Sequence, residues 1–202
     1  MVTLLLVAIT SLLSYLAWKN PEYYHRGVHY PYREKNYNEY WRSLTGGFLH
    51  GSTTHLLVNM YMLYMFGGYV EQTFVMMKGE LGRLIYLALY ISTIIMANVF
   101  TGMKRGNDPG YRSVGASAAT SGILFIYVMR NPWEMFIFPP LPAIILAVGF
   151  LIYSSWASKN RNDNIDHMAH YYGAIWGVAF TLIFFPSTFS QFLNRLINEF
   201  PL

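Results

Sequence analysis

The stretch SVGASAATSGILFIYVM, residues 113–129, contains no charged side chain and directly follows the charged segment 104–112. A helix needs roughly 17 to 25 mostly apolar residues to cross the hydrocarbon core of a bilayer, so this run is long enough for one crossing. Its first ten residues are mostly Gly, Ala, Ser and Thr, which either pack closely against another helix or present a hydroxyl group for chemistry. The stretch therefore predicts a membrane helix and raises the question of what Ser117 does.

The rest of the chain has the same organisation. Charged residues make up 12% of the 202 residues and hydrophobic residues 54%, and this charged share is about half that of a soluble globular protein. The charge-free runs are 1–18, 43–70, 84–103, 113–129, 135–158 and 167–194. They predict a single all-α, polytopic membrane domain over residues 1–202, with six transmembrane helices.

Proline, glycine and charged residues set the expected boundaries of these helices. The predicted spans are 1–18, 54–69, 82–100, 115–129, 139–158 and 167–185. Residues 19–53, called loop 1 below, are expected to be ordered and partly embedded at the membrane interface. Residues 187–202 are expected to form an amphipathic tail along the surface.

Composition excludes thiol chemistry and disfavours other classes of function, including a small-molecule transporter or channel. The chain has no cysteine, so disulfide and thiolate chemistry are excluded. The predicted spans lack the carboxylates that ion-coupled transporters usually need. The net charge of +4 comes from short loops in which basic residues alternate with acids and aromatics, which favours lipid headgroups over nucleic acid as the partner. No metal or cofactor is expected.

Polar residues near the starts of spans 2, 4 and 6 predict a buried hydrolytic site. These three spans enter the membrane from the same side, so their first turns lie at one depth. They carry His55 and Asn59, then Ser117, then His167 and His170. A serine nucleophile needs a base within hydrogen-bond reach, and the oxyanion that develops needs donors.

Small residues allow these spans to approach closely. Gly173 and Gly177 follow His170 at i+3 and i+7, on one helical stripe. Span 4 is expected to present a matching small face at Gly115, Ala118 and Gly122. Such packing could bring the imidazole of His170 to Ser117 Oγ.

Other readings of the same residues stay open. A serine in a membrane helix is more often a packing residue than a nucleophile. Ser121 lies one turn deeper and is a second candidate nucleophile, and His167 is a second candidate base. Asp166 adjoins His167 and lies a full turn from His170, so a dyad is preferred to a triad.

Taken as a set, these motifs resemble those of the rhomboid intramembrane serine proteases. The shared elements are WR at 41–42, H-x-x-x-N at 55–59 with a glycine pair and Glu71 after it, GAS at 115–117, and H-x-x-G-x-x-x-G at 170–177. They occur in the family's order and on the corresponding spans.

The resemblance implies roles for individual residues and a reaction. Ser117 would be the nucleophile and His170 its general base; the oxyanion would be held by His55, Asn59 and the Ser117 backbone N–H. Trp41 and Arg42 would shape loop 1. The implied reaction is hydrolysis of a peptide bond in or beside a transmembrane segment of a membrane-protein substrate, through an acyl-enzyme, by a protein that acts as a monomer.

Two positions depart from the family's pattern. The glycine after the nucleophile is Ala118, and the position where many members carry an aromatic that supports the histidine ring is Ser121. An overpacking methyl group can cost about 1 to 3 kcal/mol. The alternative is therefore a catalytically inactive rhomboid-like protein that binds membrane-protein clients.

The loop charges and the resemblance disagree about orientation. The loops on the predicted active-site side carry ten basic residues and those on the opposite side four, which places the active side in the cytoplasm by the positive-inside rule. The resemblance implies the reverse in a bacterial cytoplasmic membrane. We follow the resemblance, because loop 1 is long and interface-embedded and its charges are poor reporters of topology.

Overall fold

The computed structural model describes residues 1–137, 139–160 and 166–200, and this part of the chain is helical apart from its connections and two isolated β-bridges. The helices are α1 Val2–Lys19, α2 Pro21–Gly27, α3 Pro31–Tyr37, α4 Arg42–Thr45, α5 Thr53–Met62, α6 Gly68–Lys78, α7 Glu80–Arg105, α8 Ser117–Arg130, α9 Ala143–Asn160, α10 His167–Phe184 and α11 Ser187–Asn198. The all-α architecture is confirmed.

The second predicted span belongs to a longer continuous helix. A π-helical turn, Leu63–Gly67, joins α5 to α6, so helix runs well beyond residue 69. The extension is possible because Glu71, which would otherwise favour the membrane surface, is buried and hydrogen-bonded. Its carboxylate accepts hydrogen bonds from the backbone N–H groups of Val2 and Thr3, both at 2.8 Å, and from Thr3 Oγ1 at 2.7 Å. Glu71 thereby ties α6 to the first turn of α1, whose N–H groups have no intrahelical partner.

The centre of the bundle is formed by α7, α8 and α10. Tyr86, Leu89, Tyr90 and Ile94 of α7 are fully buried and belong to the same core as Ile123 of α8. Helix α9 packs against α8 and α10 through the small residues Ala143 and Ala147. The helices α8 and α10, which carry part of the site described below, therefore belong to a well-buried three-helix core with α9 at its side.

The chain is an integral membrane protein of the helical type. Helices α1 and α7 are long and apolar enough to cross a membrane by length and composition alone. A third crossing is obtained if α10 and α11, which meet at an angle of 113°, are counted as one broken span. The remaining helices of the described segments are shorter or less apolar, and two of them, α8 and α10, begin with serine and histidine residues of the site.

Loop 1 is ordered by ion pairs. Glu39 accepts hydrogen bonds from Arg33 Nη2 and from Arg42 Nε, each at 2.5 Å, and these lower its pKa to about 2, the Arg33 bond contributing most. Arg42 also donates from Nη1 to the carbonyls of His25 and Val28. Its side chain is buried, whereas Trp41 is exposed. Arg42 therefore joins α2 to α4 across loop 1.

Candidate active site

The starts of α5, α8 and α10 surround one cavity of about 1500 Å³. Its lining includes all the polar residues that the sequence analysis singled out on those helices: His55, Asn59, Ser117, Ser121, His167 and His170. Parts of loop 1 and of the segment before α8 form its mouth. The expected convergence of three helix starts is thus present in the structure.

Ser117 is the first residue of α8. The chain reaches it through Gly115, which has a φ of +130° that L side chains rarely adopt. A Cβ atom on Gly115 would lie 2.8 Å from Nε2 of His55 and 3.7 Å from Oγ of Ser117. Gly115 lies ahead of the helix, not within it, so its role differs from the helix packing expected for it. The missing side chain lets the His55 imidazole approach the Ser117 hydroxyl.

Asn59 is held between α5 and α8. Its Nδ2 donates to the His55 carbonyl at 3.0 Å, and its Oδ1 accepts a hydrogen bond from Thr120 Oγ1 at 3.2 Å. Because Nδ2 carries two hydrogens, the second one is left to serve a ligand in the cavity. His55 and Asn59 thus lie beside the first turn of α8, where donors to an oxyanion at Ser117 would be needed.

His170 is oriented by an aromatic ring that sequence reasoning missed. Phe150 of α9 stacks on the imidazole with ring centroids 5.8 Å apart and planes inclined by 21°. Where the family's pattern has an aromatic, this chain has Ser121, and here a ring from α9 contacts the imidazole. No hydrogen bond joins His170 to Ser117 Oγ in the described residues. Catalytic hydrogen bonds are often long in ligand-free enzymes and shorten when substrate binds.

The minor candidates line the same cavity and have other contacts. Ser121 is buried within α8. His167 is the first residue of α10 and is also buried, with the Tyr153 ring edge-on at 5.3 Å. Asp166 accepts a hydrogen bond from the Ala169 backbone N–H at 2.9 Å and so caps α10. That contact gives Asp166 a structural role as the N-cap of α10.

Helices α8 and α10 are in backbone contact, as the small residues predict. A Cβ on Gly173 would lie 2.2 Å from the Ala118 carbonyl oxygen, and one on Gly177 would lie 2.5 Å from Cα of Gly122. The methyl group of Ala118 is accommodated, because it packs with Ala97 and Ala169 in a small cluster. The overpacking considered for this position is therefore not found.

A second residue missed by the sequence analysis, His50, contacts the residues around Ser117 and His55. It is fully buried, and its Nε2 accepts a hydrogen bond from the Ala116 backbone N–H at 3.4 Å. The proton must then be on Nδ1, which donates to Ser14 Oγ at 3.0 Å, and Ser14 in turn donates to the Phe48 carbonyl. Burial, with a smaller contribution from His55, lowers the pKa of His50 to about 3, so the ring is neutral and can keep this arrangement.

The His50 ring also packs edge-on against His55, with centroids 4.9 Å apart. It therefore contacts both the oxyanion candidate and the turn that leads into Ser117. The one available signal in the sequence was its position five residues before His55 in HGSTTH, which does not by itself distinguish a buried ring from an exposed one.

Replacing His50 with alanine is expected to lower the free energy of unfolding by about 2 to 4 kcal/mol. The change leaves a buried N–H without a partner, at about 1 to 3 kcal/mol, and opens a cavity in addition. Thermal unfolding in detergent measures the effect. His25→Ala is the matched control, because the His25 side chain is exposed and its loss should change stability by about 0.5 kcal/mol or less. Equal stability of the two variants would contradict this role for His50.

Comparison with known proteins gives one family. The sequence model of the rhomboid domain matches residues 37–187. This range includes Ser117, His170, His55 and Asn59. The chain is 32% identical to YdcA, a rhomboid-family protein of Bacillus subtilis (strain 168), over 69% of its own length and 64% of that protein. It is 27% identical to rhomboid protease GlpG of Haemophilus influenzae, over 77% of its own length and 76% of that protein.

A more distant match is rhomboid-like protein 11, chloroplastic, of Arabidopsis thaliana, at 27% identity over 80% of the chain and 59% of that protein. The chain therefore spans less than two thirds of YdcA and of the plant protein. The rhomboid-domain match alone covers about three quarters of the chain, and it agrees with the helical bundle and with the cavity at its helix starts. The chain belongs to the rhomboid family.

Proposed function

We propose that this chain is an intramembrane serine endopeptidase that cleaves transmembrane or juxtamembrane segments of membrane proteins. The observation that carries the proposal is one cavity lined by Ser117 together with His55, Asn59 and His170, from three separate helices. Two of the relatives are bacterial proteins, and GlpG is named a rhomboid protease, which supports a location in a bacterial cytoplasmic membrane. The protein is proposed to act as a monomer.

In the proposed mechanism, Ser117 Oγ attacks the carbonyl carbon of the scissile peptide bond. His170 takes the hydroxyl proton as the new C–O bond forms, and the carbonyl oxygen becomes an oxyanion. The Ser117 backbone N–H is one of the unpaired donors at the start of α8. Together with His55 and the second N–H of Asn59, it would stabilise this charge, and each such donor is typically worth 10²- to 10³-fold in rate.

The imidazolium of His170 then gives its proton to the departing amine, and the C–N bond breaks. The acyl-enzyme that remains on Ser117 is hydrolysed by water, which His170 activates in the same manner. Stacking on Phe150 fixes the plane of the imidazole through both steps. No metal or cofactor takes part in this scheme.

The alternative, an inactive client-binding protein, was motivated by Ala118 and Ser121. Two observations weigh against it. The Ala118 methyl packs among small side chains, and Phe150 supplies the ring that position 121 lacks. Neither departure from the family's pattern therefore removes a part that the proposed mechanism needs.

Cleavage of a single-span membrane protein in liposomes tests the proposal. The purified chain is expected to produce two fragments whose new termini map to the transmembrane segment or its immediate flank. Cleavage should persist in EDTA and stop after treatment with a serine-reactive phosphonate. If a well-folded preparation binds the substrate and yields no fragments across a panel of membrane proteins, the client-binding alternative is correct.

A further inference from the structure

The mouth of the cavity carries an arginine that the proposed mechanism does not use. Arg112 lies five residues before Ser117, is exposed, and lines the same cavity as Ser117. The proposed nucleophile, oxyanion donors and base on the wall of that cavity are all less exposed than Arg112. Arg112 belongs to the part that a substrate segment would meet on the membrane surface.

The backbone around Arg112 is fixed on loop 1. His29 and Ser113 exchange two backbone hydrogen bonds of 3.1 Å, and Tyr30 Oη donates to the Pro109 carbonyl at 2.8 Å. The guanidinium carbon lies 4.1 Å from the centre of the Tyr30 ring. This stacking holds the group by one face and leaves its N–H donors at the edge, so Arg112 is preorganised for a planar anion.

Neighbouring arginines on this side pair with carboxylates, and among the described residues Arg112 has no such partner. Arg105, also on the cavity wall, pairs with Asp108 at 3.6 Å. Arg26 pairs with Glu22, and Arg33 and Arg42 share Glu39. Within the described ranges no carboxylate oxygen lies within 4.0 Å of Arg112. The other acid on the cavity wall, Asp166, caps α10 through its Oδ1.

We infer that Arg112 is a specificity-determining residue that binds an aspartate or glutamate of the substrate, in the stretch that continues from the cleaved bond to the membrane surface. A carboxylate matches the guanidinium fork in a bidentate manner. The inference rests on the proposed function and names a substrate class for it. Since the group lines the cavity that holds Ser117, a peptide in that cavity fits the geometry better than a lipid headgroup outside it.

The covalent geometry of the chain limits where the acidic residue can be. Arg112 and Ser117 are five positions apart in the sequence, and an extended chain advances at most about 3.3 to 3.6 Å per residue. A substrate segment running alongside this stretch therefore places its acidic residue within about five residues of the cleaved bond.

The test compares single-span substrates that differ only by Glu, Gln or Lys, scanned over the five residues on the loop 1 side of the cleaved bond. At one or more of these positions the parent protein is expected to cleave the Glu substrate with a kcat/KM about 10-fold above the Lys substrate, a ratio that corresponds to about 1.4 kcal/mol. Arg112→Gln should abolish this preference and Arg112→Glu should invert it. Lys19→Glu is the matched control: it changes the same charge on the same side, away from the cavity, and should keep the parent preference.

Binding gives a readout that does not depend on turnover. The dissociation constants of labelled Glu and Lys substrates are measured in the Ser117→Ala background, with and without Arg112→Glu. If the protein with Ser117 intact cleaves nothing, while the binding preference in the Ser117→Ala background inverts with Arg112→Glu, the proposed function is contradicted and the Arg112 assignment stands. The assignment is overturned if Arg112→Glu leaves the Glu-to-Lys substrate ratios for cleavage and for binding the same as in the parent protein. This holds at any level of activity.

Discussion

Ser117→Ala is expected to lower kcat for cleavage of a membrane substrate by at least about 10³-fold, and His170→Ala by a similar factor. Each change removes one half of a unit that acts together, so the double variant should be barely worse than either single one. Cleavage rates in liposomes, normalised to folded protein, measure the effect. If the double variant cleaves about as slowly as each single variant, Ser117 and His170 act as a dyad. If the two losses in rate multiply, the residues contribute independently.

Ser121→Ala is the matched control for the nucleophile. Ser121 lines the same cavity one turn deeper on the same helix, and loss of its hydroxyl should change the rate by less than about threefold. His167→Ala serves in the same way for the base, with folding checked because His167 is buried. A larger loss at Ser121 than at Ser117 would place the nucleophile one turn deeper and contradict the assignment.

The second large effect is expected on folding. Gly173→Ala forces a methyl group to within 2.2 Å of the Ala118 carbonyl oxygen unless the helices move apart. The obstacle is backbone, which cannot rotate away, so the free energy of unfolding should fall by about 3 kcal/mol or more. Thermal unfolding in detergent is the measurement. Because α8 and α10 carry Ser117 and His170, any protein that remains folded should also lose activity.

Gly149→Ala provides the control for this change. Gly149 lies within α9, and a Cβ there would meet no atom within 4 Å. Alanine is the better helix former by about 1 kcal/mol, so this variant should be as stable as the parent protein or slightly more stable. If the two alanine variants unfold at the same temperature, α8 and α10 are not in the close contact described.

The sequence predicted the parts of the site that depend on local order along the chain. Ser117, His55 and His170 lie at helix starts, and alternate spans enter from one side, so their convergence follows from counting spans. Gly173 and Gly177 were recognisable as a contact surface because their spacing repeats along one helical stripe. These expectations required no knowledge of how distant segments pack.

The remaining features depend on tertiary contacts. Phe150 reaches His170 from another helix, and nothing in the apolar run of α9 marks it out from its neighbours. Buried His50 is defined by Ser14 and Ala116, one far before it and one far after it. Likewise, Glu71 appeared to end a span, and its burial depends on the N–H groups of α1.

Length and apolarity alone mark few of the described helices as membrane-crossing. Only α1 and α7 pass a test of length and apolarity on their own among the described helices. Helix α8 is shorter, and the first turns of α8 and α10 carry the serine and histidines of the site. These polar residues lower the mean hydropathy of the two helices, and the proposed reaction requires them.

The most direct test of the central claim is reaction of the folded protein in detergent with a fluorophosphonate, followed by identification of the modified residue by peptide mass spectrometry. A single adduct on Ser117 is expected, and it should be lost in His170→Ala and kept in Ser121→Ala. An adduct on Ser121, or no adduct on a well-folded protein, would contradict it. In the second case Ala118→Gly shows whether one methyl group is what prevents reaction.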